Sequence, residues 1–143
     1  MTTLRAVSPA YWTQPWGLPD QPEFLNAVAL VETGQEPLAL LRTLLAIESG
    51  LGRRRDQARW GPRAIDLDLL LFGDRVVDEA ELTLPHPRMH ERAFVLVPLA
   101  DLAPTLIVPG RGRVEELLDG LSEEELDGVR AAACDLSRVT RPT

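Results

Sequence analysis

From Ile65 to Phe72 apolar and polar positions alternate. Ile65, Leu67, Leu69 and Leu71 fall on one face, and Asp66, Asp68, Leu70 and Phe72 on the other. The pattern predicts a strand that buries one face and carries two carboxylates side by side on the opposite one. Strand geometry sets such neighbours roughly 6–7 Å apart, close enough to share a metal cluster. Two solvated aspartates on an amphipathic strand are the plainer alternative. Phe24 to Glu32 also alternates, with Leu25, Ala27, Ala29 and Val31 against Phe24, Asn26, Val28 and Leu30. Both faces are mostly apolar, which predicts a central strand. Asn26 interrupts it. A buried amide left unpaired costs about 1–3 kcal/mol, so it needs backbone groups or a ligand offering both donor and acceptor.

Between Gly34 and Leu51 the period lengthens to that of a helix. Pro37 suits its first turn, and Leu38, Leu41, Leu44 or Leu45, and Ile47 or Glu48 recur through to Leu51. Gly50 and Gly52 mark its end. Leu4 to Val7 is a short strand candidate. Ser8 to Pro22 is too rich in proline for regular structure and holds Trp12 and Trp16, which pack either on the core or on a planar ligand. Gly73-Asp74 reads as a turn before a short edge strand around Val76, and Leu82 to Pro87 as an extended piece stopped by two prolines. His90 and Arg92 stand at a helix start, and Phe94 to Leu102 is an apolar segment broken by Pro98. Leu106 to Val108 suits a last strand ending at Pro109-Gly110. Val114 to Asp119 and Ser122 to Ala133 read as helices, the second opened by a Ser122/Glu125 capping box. Arg138 to Thr143 should fray.

A length of 143 residues fits one domain with a real core. No apolar run is long enough to span a bilayer, and the N-terminus lacks the pattern of a signal peptide. The single cysteine, Cys134, forms no internal disulfide, so a cytoplasmic location is expected, with no membrane partner. All 15 basic residues are arginine, which excludes a Walker A phosphate loop and lysine-based Schiff-base chemistry.

Charge is unevenly distributed along the chain. The formal net charge is −7, yet Arg53, Arg54, Arg55, Arg59 and Arg63 cluster just before the aspartates against a single acid, Asp56. Arginine grips phosphate oxygens through its planar fork, and carboxylates take hard cations. Together they suit a polyphosphate–Mg²⁺ complex. A nucleic-acid-binding module is the competing reading of the arginines, and the net charge and the two embedded acids oppose it. The seven acids between Glu115 and Asp127 read as a solvated helical face. His86, between two prolines, is the better placed of the two histidines for a site, with a solvated loop histidine as the alternative.

Trp60-Gly61-Pro62-Arg63 followed by Asp66-Leu67-Asp68 resembles the signature of the 6-hydroxymethyl-7,8-dihydropterin pyrophosphokinase family. Asp20-Gln21-Pro22-Glu23-Phe24-Leu25-Asn26 is similar to its Asp-Gln-Pro-aromatic-Leu-Asn segment. Leu84-Pro85-His86-Pro87 through Arg92-Ala93-Phe94 is similar to its Leu-Pro-His…Arg-Gly/Ala-Phe stretch. Three ordered motifs between Thr13 and Pro98 carry the resemblance.

The resemblance implies an α+β, ferredoxin-like two-layer sandwich, an antiparallel sheet with helices packed on it. It implies Mg-dependent transfer of pyrophosphate from ATP to 6-hydroxymethyl-7,8-dihydropterin in folate biosynthesis, giving AMP, by a monomer without nucleic-acid partners. Carried over by position, Asp66 and Asp68 become ligands of two Mg²⁺ ions, and Arg53 and Arg63 hold the transferring phosphates. Arg55, Arg59, Trp60, Thr83, His86 and Arg92 fall on the ATP side. Thr13, Trp16, Phe24, Asn26, Trp60 and Phe94 fall on the pterin side, where the amide of Asn26 would read the ring edge.

The chain departs from the family pattern at its start, lacking the first strand and helix with their Gly-Ser-Asn run. The expectation is one pyrophosphokinase domain over 1–143, N-terminally short and incomplete for function as it stands, with an acidic helical segment over about 114–135. The alternatives are a catalytically impaired fragment or non-enzymatic paralogue, and a smaller sandwich completed by Leu4 to Val7 and the C-terminal helices. Gln14, Trp16 and Leu45 stand where the family has a proline, an aliphatic residue and a polar nucleotide contact.

Overall fold

The computed structural model describes residues 2–13, 24–53 and 66–132, the side chains of residues 52 and 53 excepted. The strands are β1 (Thr2–Val7), β2 (Tyr11–Thr13), β3 (Phe24–Asn26), β4 (Ala29–Thr33), β5 (Val77–Asp78), β6 (Thr83–Leu84), β7 (Ile107–Val108), β8 (Gly112–Arg113) and β9 (Val129–Ala131). The helices are α1 (Pro37–Arg53), α2 (Ala93–Leu102), α3 (Val114–Asp119) and α4 (Glu123–Asp127), with a 3-10 turn at Met89–Glu91. Every strand pair is antiparallel, so the class is α+β as expected. The strands are shared among small sheets: β1 with β4, β3–β2–β9, β5 with β6, and β7 with β8. No helix among the described residues is long and apolar enough to cross a membrane.

The single central strand expected over Phe24 to Glu32 is instead two strands. The cause is a bend shared with the partner segment. Pro9 follows Ser8 and has no N–H to give a ladder. The buried Ser8 stands in, its backbone N–H donating to Val28 O at 2.8 Å and its hydroxyl accepting the Val28 N–H at 2.9 Å. Pairing then resumes on either side, β2 with β3 and β1 with β4. β4 is not central either: Ala29, Leu30, Val31 and Glu32 are all exposed.

The predicted aspartate strand keeps its alternation over residues 66–69, loses it from Leu70 to Phe72, which are all half-buried, and joins no ladder among the described residues. Asp66 and Asp68 are exposed, while Leu67 and Leu69 are half-buried. Its backbone groups are taken elsewhere, the Leu67 N–H by the Glu48 carboxylate and the Leu70 carbonyl by the His86 N–H.

The core centres on α2. Met89, Val95, Leu96, Leu99, Val108 and Val114 form its buried cluster, with Leu70, Leu71 and Leu117 against it. Pro98 does not break this segment. It lies buried inside a continuous helix, where apolar packing outweighs the missing hydrogen bond. In α1 Pro37 and Leu40 are buried, both outside the predicted stripe, and Leu45, Ile47 and Leu51 remain exposed.

At the C-terminal side, β7 and β8 form a hairpin whose turn uses Gly110 and Gly112 at φ +74 and +124, backbone that L side chains rarely adopt. The Ser122 capping box is present, the Glu125 N–H donating to the serine hydroxyl at 3.1 Å. The helix expected to run to Ala133 ends at Asp127, however. Gly128 caps it, and Val129–Ala131 crosses to pair with β2 as a sheet edge.

Candidate active site

Helix α1, residues 66–69 and the β5–β6 connection line an open cleft of about 350 Å³. Asp66 and Asp68 line it together with Thr83 and His86. Leu41 and Leu45 of α1, with Leu82 and Pro87 opposite, supply apolar walls, and Glu48 and Glu81 add polar ones. Two hydrogen bonds fix the aspartate segment at this place. Glu48 Oε2 accepts the Leu67 N–H at 2.5 Å, and the Leu70 carbonyl accepts the His86 N–H at 2.8 Å. The first ties the segment to α1, the second to the loop after β6. Since Leu67 is turned inward, its neighbours Asp66 and Asp68 present their carboxylates outward.

His86 is held mainly neutral. Burial pushes its pKa below the usual 6.5, the nearby Arg92 charge pushes the same way, and Asp68 opposes them. The Arg88 N–H donates to His86 Nδ1 at 3.4 Å, which leaves Nε2 as the proton-bearing nitrogen of the neutral ring. A neutral imidazole with an Nε2 donor suits a nucleotide oxygen or ring nitrogen. His90 is engaged elsewhere, its ring against the Arg111 guanidinium.

Thr13, Phe24 and Asn26 meet on one face of the β2–β3 pair. Thr13 stands opposite Phe24 in the register, and Asn26 opposite Tyr11. Asn26 Nδ2 donates to Thr13 Oγ1 at 2.5 Å, and that hydroxyl in turn donates to Phe24 O at 3.5 Å. Asn26 is half-buried rather than enclosed, so the desolvation argument from sequence applies only in part. The same face looks towards α2, because Tyr11 Oη donates to Asp101 on that helix. Phe24 and Phe94 leave 52% and 36% of their surface in solvent, enough open ring for a flat ligand to cover.

Arg92 stands between the two groups of residues. Its guanidinium carbon lies 5.5 Å from the Phe94 ring centroid, while its charge acts on His86. Arg53 is the last residue of α1. Trp16, Arg55, Arg59, Trp60 and Arg63 lie outside the described residues. Sequence reasoning passed over Glu48 as one of two options for an apolar helix position. The signal was there: an acid in a leucine stripe implies a partner for its charge. The Tyr11–Asp101 link had no local signal, since its members are far apart in the chain.

Among the described residues no group of three or more His, Cys, Asp or Glu side chains could hold a metal ion. The two aspartates nonetheless fit Mg²⁺, a hard cation that binds through one or two carboxylates and takes its other ligands from water and phosphate oxygens.

The chain matches the family model described as 7,8-dihydro-6-hydroxymethylpterin-pyrophosphokinase over residues 1–104, a range that holds every candidate residue above. It is 50% identical over 131 residues to the 2-amino-4-hydroxy-6-hydroxymethyldihydropteridine pyrophosphokinase of Pseudomonas aeruginosa, covering 92% of this chain and 80% of that protein. To the Haemophilus influenzae enzyme of the same name it is 42% identical over 125 residues, covering 87% and 78%. It is also 44% identical over 119 residues to the folic acid synthesis protein fol1 of Schizosaccharomyces pombe, covering 82% of this chain and 16% of that larger one. The chain belongs to the 7,8-dihydro-6-hydroxymethylpterin-pyrophosphokinase family.

Proposed function

We propose that this protein transfers the β,γ-pyrophosphoryl group of ATP to the hydroxymethyl oxygen of 6-hydroxymethyl-7,8-dihydropterin in folate biosynthesis, releasing AMP. The observation that carries the reading is the placement of Asp66 and Asp68 in one cleft with Thr83 and His86. Family membership supports the reaction class.

In this reading the pterin oxygen attacks the β-phosphorus, the bond from that phosphorus to the bridging oxygen of the α-phosphate breaks, AMP leaves with that oxygen, and the hydroxyl proton passes to water. Asp66 and Asp68 bind two Mg²⁺ ions, which when present neutralise phosphate charge and align donor with acceptor. Arg53 and Arg63 hold the transferring phosphates, and Arg55 and Arg59 add cations between them in the sequence. Thr83, His86 and Arg92 orient the nucleotide, the histidine through its Nε2 proton. On the acceptor side Asn26 and Thr13 read the edge of the pterin, and Phe24, Phe94, Trp16 and Trp60 cover its faces. Most of the rate then comes from positioning and charge stabilisation, with no strong general base required.

Asp66→Asn tests the assignment. AMP release from ATP and the pterin should fall by on the order of a hundredfold or more, with the thermal unfolding profile unchanged. Unchanged AMP release in that variant contradicts the metal assignment.

A further inference from the structure

We infer that Glu48 is a positioning residue for the cation ligands, holding the backbone between Asp66 and Asp68 so that both carboxylates face the cleft. The inference rests on the reading of those aspartates as the cation ligands. Glu48 Oε2 accepts the N–H of Leu67, the residue lying between them, at 2.5 Å. A carboxylate accepting a backbone N–H makes a charge-assisted bond, stronger than a neutral one. It matters more here than within a sheet, because residues 66–72 join no ladder among the described residues. In a ladder the partner strand would fix the direction of alternate side chains. Here a side chain from α1 does so at Leu67.

Glu48 reaches this point from a helix, a rigid support, and lines the same cleft as both aspartates. Its half-buried carboxylate is therefore close to the cation position and still committed to the peptide. Rotation of the Leu67 peptide would turn the adjoining carboxylates away from a shared centre. Loss of such an outer support typically weakens metal binding by about tenfold to a hundredfold.

Two variants separate positioning from direct ligation. Glu48→Gln keeps an amide oxygen that accepts the same N–H but removes the charge; Glu48→Ala removes the acceptor. Mn²⁺ binding would be read by electron paramagnetic resonance with α,β-methylene ATP present, alongside Asp66→Asn and the unaltered protein. Asp66→Asn should weaken Mn²⁺ binding, Glu48→Ala should weaken it about tenfold, and Glu48→Gln should restore it to within about threefold. Circular dichroism melts identify any variant that fails to fold, and the glutamine form, isosteric with the native residue, still decides the question if the alanine form does not fold. If Asp66→Asn leaves Mn²⁺ binding intact, the ligand assignment fails and this inference with it. If Asp66→Asn weakens binding while Glu48→Ala does not, positioning alone is overturned. A glutamine form as weak as Asp66→Asn also overturns it, since charge rather than the hydrogen bond would then be what Glu48 supplies.

Discussion

Arg92 lies with its guanidinium carbon 5.5 Å from the centroid of the Phe94 ring. The same cation depresses the pKa of His86, so one side chain acts on two residues of the proposed site. Removing it should release His86 upward. In Arg92→Ala the His86 ring should titrate at higher pH than in the native protein, as followed by NMR of its carbon-bound protons. An unmoved midpoint would mean that burial alone sets the histidine.

Stability should depend on pH through the same residue. Folded His86 sits below the ordinary 6.5, chiefly through burial and then through Arg92. The unfolded chain therefore takes up this proton first as pH falls. Stability should decline from about pH 6.5 down to the folded value and level off below it, while above 6.5 both states are neutral and the contribution is constant. Urea midpoints of the native protein and His86→Asn, compared from pH 7.5 downward in steps of about one unit, check this. The gap between the two should change only below about pH 6.5.

Tyr11 offers a cleaner readout, being the single tyrosine of the chain. Burial first, then the hydrogen bond to Asp101 and that residue's charge, together push its hydroxyl up to about 12. Phenolate absorbance should appear near pH 12 in the folded protein and nearer 10 once it is unfolded. Because the folded pKa is raised, the contribution to stability is whole below pH 10 and is lost as pH rises towards 12. Asp101→Asn should bring the folded midpoint down. A midpoint unaffected by that change would show that the Tyr11–Asp101 contact does not persist in solution.

Where local periodicity matched the tertiary environment, the sequence was readable. The existence of α1 from Pro37, the short strand before Pro109-Gly110 and the Ser122 cap needed only neighbouring residues, and each is present, although α1 runs past Gly50 and Gly52 to Arg53. The alternation of Asp66, Leu67, Asp68 and Leu69 also survives in their exposure, which is why the carboxylate pair was legible. What failed depended on distant partners. Val28 breaks its strand because Ser8, twenty residues earlier, takes its N–H. Pro98 stays helical because Val95, Leu96 and Leu99 around it are buried against the β7 and α3 side chains Val108 and Val114. Val129–Ala131 becomes a strand because β2 offers an edge, something no property of the acidic segment encodes. Of the proposed site, the described part was recoverable as residue types but not as geometry: the Glu48 link to Leu67 required the fold.

In the proposed reaction the group moved is pyrophosphoryl rather than a single phosphoryl. Phosphorus-31 NMR of the protein turning over ATP and 6-hydroxymethyl-7,8-dihydropterin with Mg²⁺ tests it most directly. AMP should appear together with a pterin diphosphate, formed in equal amounts and absent when the pterin or Mg²⁺ is left out. Resonances of ADP with a pterin monophosphate, or ATP left unconsumed, would contradict it.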